Sequence, residues 1–130
     1  MIVLDTHIVI WLTIEPRRMP RALGRLVAEA YTKGEGVAIA DVTLLELATL
    51  AAWGRIRPAI PLGLFLRQVE NKFRVLPITG AVAEQVMRFS ENYPKDPADR
   101  LIGATAVVCG AQLMTRDGAI RRSGEVQCIG

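Results

Sequence analysis

Histidine is nearly missing from this chain, which has only His7, and its two cysteines, Cys109 and Cys128, have neither CxxC spacing nor a histidine close by. A zinc site built from His and Cys ligands is thereby excluded. Two isolated thiols in a chain long enough to form a core do not make a disulfide framework either, and both are expected to behave as small buried hydrophobes. Long apolar runs are lacking as well. The N-terminal "MIVLDTHIVIWL" is interrupted by Asp5 and His7, with no basic stretch before it and no small-residue cleavage site after it, so it is not a signal peptide. No run approaches the roughly 18 apolar residues that a membrane-spanning helix needs. A soluble, cytoplasmic protein without membrane association is expected. Low-complexity tracts, long linkers and internal repeats are absent, so residues 1–130 correspond to one domain, able to bury about two-thirds of its unfolded surface without staples.

Lysine is sparse beside arginine. The net charge of +3 is carried by clusters such as "PRRMPRALGR", with Arg17, Arg18, Arg21 and Arg25, and by Arg55, Arg57, Arg121 and Arg122. A guanidinium fork grips two phosphate oxygens at once, so these clusters suit a polyanion, although a solvated surface explains a modest excess equally well.

Along the chain, short β-branched runs alternate with helical patterns. "MIVLD" reads as a buried strand ending at Asp5, followed by a helix from about Arg21 to Thr32. "GVAIAD" reads as a second strand, and "VTLLELATLAAWG" as a helix stopped by Gly54. "PLGLFLRQVEN" is helical, "FRVLPI" a strand, "GAVAEQVMRFSENY" a helix, and "PADRLIGATAVVCG" a helix closing on Gly110. "AQLMT" is a strand, "DGAIRRS" a turn with a short helix, and "EVQCI" a last strand. This alternation predicts an α/β fold with a mainly parallel sheet covered on both faces. Ligands of such sheets bind outside the carboxyl ends of the strands.

Acids arrive at that edge from several segments. Asp5 ends the first strand, Asp117 follows "AQLMT", and Glu46 lies about one turn into the helix after the second strand. In "KDPADRLIGATA", Asp96 suits the N-cap, Pro97 the first helical position and Asp99 the first turn, where the helix dipole favours a carboxylate. Each has a local explanation too: Asp5 as a strand end, Asp117-Gly118 as a turn pair, and Thr43 with Glu46 as a capping box. Together they pose an electrostatic problem. Two carboxylates about 4 Å apart repel by roughly 4 kcal/mol at an effective dielectric of about 20, so the cluster must protonate, separate or hold a cation. A hard divalent ion such as Mg2+ is the economical solution. Next to a basic surface, such a site points to phosphodiester chemistry, with the ion activating a water and offsetting charge on the phosphate. Thr6 and Thr115, beside Asp5 and Asp117, are candidates for orienting a carboxylate or water, or for plain packing and turn hydrogen bonds. His7 is expected in a loop or packing role rather than as a ligand.

"MIVLDTHIVIWL", "IADVTLLELA", "RVLPIT", "KDPADRLIGATA" and "LMTRDGAIRR" resemble, in order and spacing, the motifs of PIN-domain ribonucleases, in particular the VapC-type toxins of bacterial toxin–antitoxin pairs. The resemblance covers nearly the whole chain. It implies a three-layer α/β/α sandwich and an endoribonuclease dependent on Mg2+ or Mn2+, with the four family acids falling on Asp5, Glu46, Asp99 and Asp117. It further implies an RNA substrate, a homodimer and a cognate antitoxin. Asp96 is commonly acidic in this group and either lines the pocket or caps its helix. Asp41 stands where relatives carry Ser, as a stronger N-cap or a fifth charge near the metal. Gly103 replaces Ala, at a cost of up to about 1 kcal/mol in helix propensity or to admit another segment. The helices "TLLELATLAAW" and "PLGLFLRQV" offer an apolar groove for the antitoxin, unless their stripes are core. A receiver domain is disfavoured, because the acidic pair after the first strand and a late-strand Lys are absent. A haloacid-dehalogenase-like phosphatase would want an acid where His7 stands. The remaining alternative is a non-catalytic PIN-like module that binds RNA or protein; loss of an acid would favour it, and all four are present.

Overall fold

Successive residues of a strand point to opposite faces of its sheet, and in this chain each face has its own apolar set. In the computed structural model, which describes residues 1–130, the strands are β1 (Ile2–Leu4), β2 (Val37–Ala40), β3 (Arg74–Leu76), β4 (Gln112–Met114) and β5 (Cys128–Ile129). All pair in parallel, in the order β3-β2-β1-β4-β5. Ile2 is in register with Val37 on one side and Gln112 on the other, so β1 is central and buried on both faces, as its unbroken apolar run requires.

The helices are α1 (Thr6–Thr13), α2 (Arg21–Lys33), α3 (Val42–Ala52), α4 (Leu62–Lys72), α5 (Gly80–Arg88), α6 (Pro97–Val108) and α7 (Gly118–Ser123), with a 3-10 turn at Pro16–Arg18. Ile2, Leu4, Val37, Ile39 and Met114 face α1 to α4, packing with Ile8, Val9, Leu23, Val27, Leu47, Phe65 and Val69. Val3, Ala38, Ala40, Leu76 and Leu113 face α5 to α7, packing with Val82, Phe89, Tyr93, Ile102, Ala106 and Ile120. The result is the expected three-layer α/β/α sandwich, each buried large side chain contributing about 1.5–3 kcal/mol through burial. No helix is long and apolar enough to cross a membrane.

Three details differ from expectation. The stretch after Asp5 folds at once into α1, whose N-cap is Asp5 itself, its side chain accepting from Thr6 N. Helix α5 ends at Arg88, because the chain turns at Phe89 to stack that ring on Tyr93, 4.0 Å between centroids and 6° from parallel. The cysteines are not core residues: Cys109 is exposed just past α6, and Cys128 is half-buried on the two-residue edge strand β5.

The order places the reversal of winding at β1 and β4, whose carboxyl ends flank the crevice where open α/β sheets bind ligands. Asp5 follows β1, and Thr115 to Asp117 follow β4.

Candidate active site

A cleft of about 220 Å³ opens there, lined among others by Asp5, Thr6, His7, Glu46, Asp99 and Asp117. Four elements thus bring the four predicted acids to one place.

Asp5 is buried and anchored through both oxygens. Oδ1 accepts from Thr6 N at 2.8 Å and Oδ2 from the Thr115 hydroxyl at 2.7 Å. The Thr115 hydroxyl oxygen also accepts from Asp117 N at 3.0 Å, so one side chain joins the first and fourth acids. Asp117 in turn caps α7, its Oδ1 accepting from Ala119 N and Ile120 N at 2.8 and 3.1 Å. The Asp-Gly pair therefore starts a helix rather than a simple turn.

Thr6 performs the matching task for the second acid. Its hydroxyl donates to Glu46 Oε1 at 2.5 Å and lies 3.1 Å from the Thr43 hydroxyl. With the Thr6 hydrogen committed to Glu46, Thr43 is the donor of that pair. The Thr43–Glu46 capping box is thereby overturned, for Thr43 is a fully buried residue inside α3 and turns toward α1. The N-cap position of α3 is Asp41, yet its side chain makes no cap bond. Asp41 Oδ2 accepts from Ile78 N at 3.1 Å, tying α3 to the segment after β3, while Oδ1 is buried without a partner. Asp41 does not line the cleft.

Asp96 caps α6 as expected, its Oδ1 accepting from Ala98 N and Asp99 N at 2.8 and 3.2 Å. The Asp99 carboxylate, half-buried, accepts no hydrogen bond and joins no ion pair. Burial above all, then repulsion from Asp5, Asp96, Asp117 and Glu46, pushes its carboxyl up to about 7. Glu46 is also raised, by burial first, against the lowering effect of the Thr6 bond, and then by Asp5 and Asp96. A carboxyl in this position gains from either a proton or a cation.

The donors are all hard oxygens with no compensating lysine or arginine paired to them, which suits Mg2+ or Mn2+ over a soft metal. No three acidic, His or Cys side chains are drawn close enough to enclose an ion by themselves. An ion held there would need water or substrate oxygens to complete its shell, a demand that Mg2+, which keeps several waters, meets.

Three contributors escape sequence reasoning. His7 lies on α1 rather than in a loop. Its Nε2 accepts from Arg116 N at 3.1 Å, its Nδ1 is 3.6 Å from Asp5 Oδ2, and its ring meets Trp11 edge-on. Tyr93 donates to the carbonyl of Asp99 at 2.9 Å. Arg100 donates to the carbonyls of Pro94, Tyr93 and Ser90 at 2.9, 3.1 and 3.2 Å, stitching down the loop that delivers Asp99. Backbone carbonyls leave no mark in a sequence; His7 alone carried a signal, its place two residues after Asp5.

The open groove on α3 is faced by the start of α6 rather than by α4. It measures about 530 Å³ and runs from Glu46 to Trp53.

A family model described as PIN domain matches residues 2–126. Ribonuclease VapC22 of Mycobacterium tuberculosis is 37% identical over 120 residues, which is 92% of this chain and 89% of that protein. Among solved structures, VapBC2 from Rickettsia felis bound to a DNA fragment from their promoter aligns with a TM-score of 0.76 at 15% identity, covering 99% of this chain and 98% of that one. A toxin-antitoxin complex from Klebsiella pneumoniae aligns at 0.59 and 22% identity, covering 90% and 87%. At those identities the structural likeness speaks for the fold alone. Because the family match takes in nearly every residue and the VapC relative is matched along most of both lengths, this chain belongs to the PIN-domain family, among its VapC-type members.

Proposed function

We propose that this chain is an endoribonuclease that hydrolyses RNA phosphodiester bonds with bound Mg2+ or Mn2+, and that it is the toxin of a toxin–antitoxin pair. The observation that carries the reading is the gathering of Asp5, Glu46, Asp99 and Asp117 in one cleft at the reversal point of the sheet, with the Asp99 carboxylate unpartnered. These four residues would hold the ion. When bound, it supplies a water of lowered pKa and offsets charge on the scissile phosphate.

The chain's own groups set the geometry. Thr6 and Thr115 lock Asp5, Thr6 aims Glu46, and Thr115 ties Asp5 to the α7 cap. Asp96 starts α6 so that Asp99 projects into the cleft, and Arg100 and Tyr93 fix that start. Arg116, exposed beside Asp117, offers a guanidinium to the RNA backbone. The identity with a protein named a ribonuclease supports the activity, and the toxin–antitoxin complexes of the same fold support an antitoxin partner. Under this reading the protein works as a cytoplasmic homodimer restrained by its antitoxin.

The test is cleavage of a mixed pool of structured and unstructured RNAs by purified protein, with Mg2+ or Mn2+, with EDTA, and with Asp5→Asn and Asp99→Asn. Divalent-dependent cutting lost in both variants is expected. Full activity in both would sink the assignment and leave a non-catalytic RNA- or protein-binding PIN module.

A further inference from the structure

The groove between α3 and α6 shares Glu46 and Leu50 with the acidic cleft, so the two lie side by side along α3. Its far end is occupied by Trp53 and Arg55. Glu46, Leu50 and Trp53 fall at i, i+4 and i+7 on one face of α3, which sets Trp53 about 10 Å along the axis from Glu46. A single strand crosses that distance in a few nucleotides.

Trp53 is 68% exposed, unusual for the largest apolar side chain. The backbone that carries it is fixed by a helix cap. Gly54, at φ 70°, donates to Ala51 O at 3.1 Å, and Arg55 N donates to Leu50 O at 2.9 Å. This is the paired bonding of a Schellman cap, whose left-handed position favours glycine. The cap folds Arg55 back so that its guanidinium stands 5.6 Å from the Trp53 ring centroid. Arg55 has no acidic partner, leaving its charge available.

We propose that Trp53 and Arg55 form a platform on which one unpaired nucleobase of a single-stranded RNA stacks, with Arg55 taking the adjoining phosphate, a few nucleotides from the bond that is cut. This rests on the acidic cleft being the cleavage site. A flat exposed indole accepts any base, and an unpaired arginine beside it supplies the cation that a polyanion needs. The charges along α3 agree: Glu46 faces the cleft and Arg55 stands beside Trp53 past the helix end, while Asp96 lines the groove from the start of α6. A duplex hides its base faces, so the platform selects single strands.

The experiment measures fluorescence anisotropy of a labelled single-stranded RNA of about ten nucleotides, and of its duplex, in an Asp5→Asn background that cannot cleave. Trp53→Ala should weaken single-strand binding roughly tenfold and leave the duplex unchanged, with Trp53→Phe within about threefold of the parent. Arg55→Gln should weaken binding and flatten its salt dependence. A thermal melt checks that the exposed substitutions leave the fold intact. Single-strand affinity within twofold of the parent in Trp53→Ala overturns the proposal, and loss of self-association or of antitoxin binding in that variant would give the platform to a protein instead. Trp53-dependent binding in a protein whose cutting ignores Asp5 and Asp99 would retain the platform while refuting the nuclease site. Acid-dependent cutting with Trp53-independent binding would refute the platform alone.

Discussion

Thr115 donates its hydroxyl hydrogen to Oδ2 of Asp5 across 2.7 Å, joining the ends of two adjacent strands from positions 110 residues apart. The same oxygen accepts from Asp117 N. One fully buried hydroxyl therefore sets the relative positions of two of the four carboxylates.

Thr115→Val keeps the side-chain shape and removes both bonds. Leaving a buried carboxylate oxygen and an N–H short of a partner costs about 1–3 kcal/mol. Divalent affinity should fall about 10- to 100-fold, as for other groups that orient ligands from behind. Urea denaturation and metal titration by calorimetry check the two parts. Unchanged metal affinity with lowered stability would reduce Thr115 to a turn residue.

Asp99 gives a pH signature in metal-free protein. Its carboxyl sits at about 7 when folded against an ordinary 3.8. The native state thus holds a proton that the unfolded chain releases over that range. The stabilising contribution is fully present below about pH 4 and lost as pH rises through about 7. Asp99→Asn should melt above the wild type near pH 8 in EDTA, the gap closing as the pH falls toward about 4. Adding Mg2+ near pH 8 should raise the wild-type melting temperature more than that of the variant. Parallel melting curves at both pH values would show that Asp99 carries no such strain.

Asp96 separates a cap from a charge. Asn caps as well as Asp, whereas Ala does not. Asp96→Ala should lose about 1 kcal/mol and part of its cleavage as the first turn of α6 loosens, and Asp96→Asn should keep both stability and cleavage while bringing the Asp99 carboxyl down by removing one repulsive neighbour. Denaturation and NMR titration of Asp99 read this out. Loss of cleavage in Asp96→Asn as deep as in Asp99→Asn would make Asp96 part of the metal site.

Much of this site was legible because its determinants are local. Apolar runs ending in Asp5 and Asp41, and the Asp-Pro start of α6, declare strand ends and a helix start from a few adjacent residues. Helix α1 was not legible. "THIVIWLT" is β-branched and strand-like, and becomes helical through the Asp5 cap and the burial of Ile8 and Val9 against the sheet, a tertiary effect that overrides propensity. Thr43 misled for a related reason: its spacing to Glu46 fits a capping box, but the helix starts before it and its hydroxyl points to Thr6. The partners of Arg100 are carbonyls, which every residue carries. The groove on α3 depended on which helix lies opposite, and no pattern within α3 specifies that.

Gly103 sets two effects against each other. In mid-α6 an alanine should gain up to about 1 kcal/mol from propensity. Yet a Cβ there would lie 2.0 Å from Tyr93 Oη and 2.7 Å from Cζ. The ring cannot step aside cheaply, being stacked on Phe89 and tied to the Asp99 carbonyl. Overpacking of this kind costs about 1–3 kcal/mol, so Gly103→Ala should destabilise the protein. Cleavage should fall as well, because moving Tyr93 releases the first turn of α6 on which Asp99 is placed. In a Tyr93→Phe background the penalty should shrink without vanishing, since the hydroxyl is gone while the ring carbon remains. Urea denaturation of the four proteins in the cycle measures the coupling. A Gly103→Ala protein more stable than the parent would mean that the Tyr93 ring yields, and that its bond to Asp99 does not fix the site.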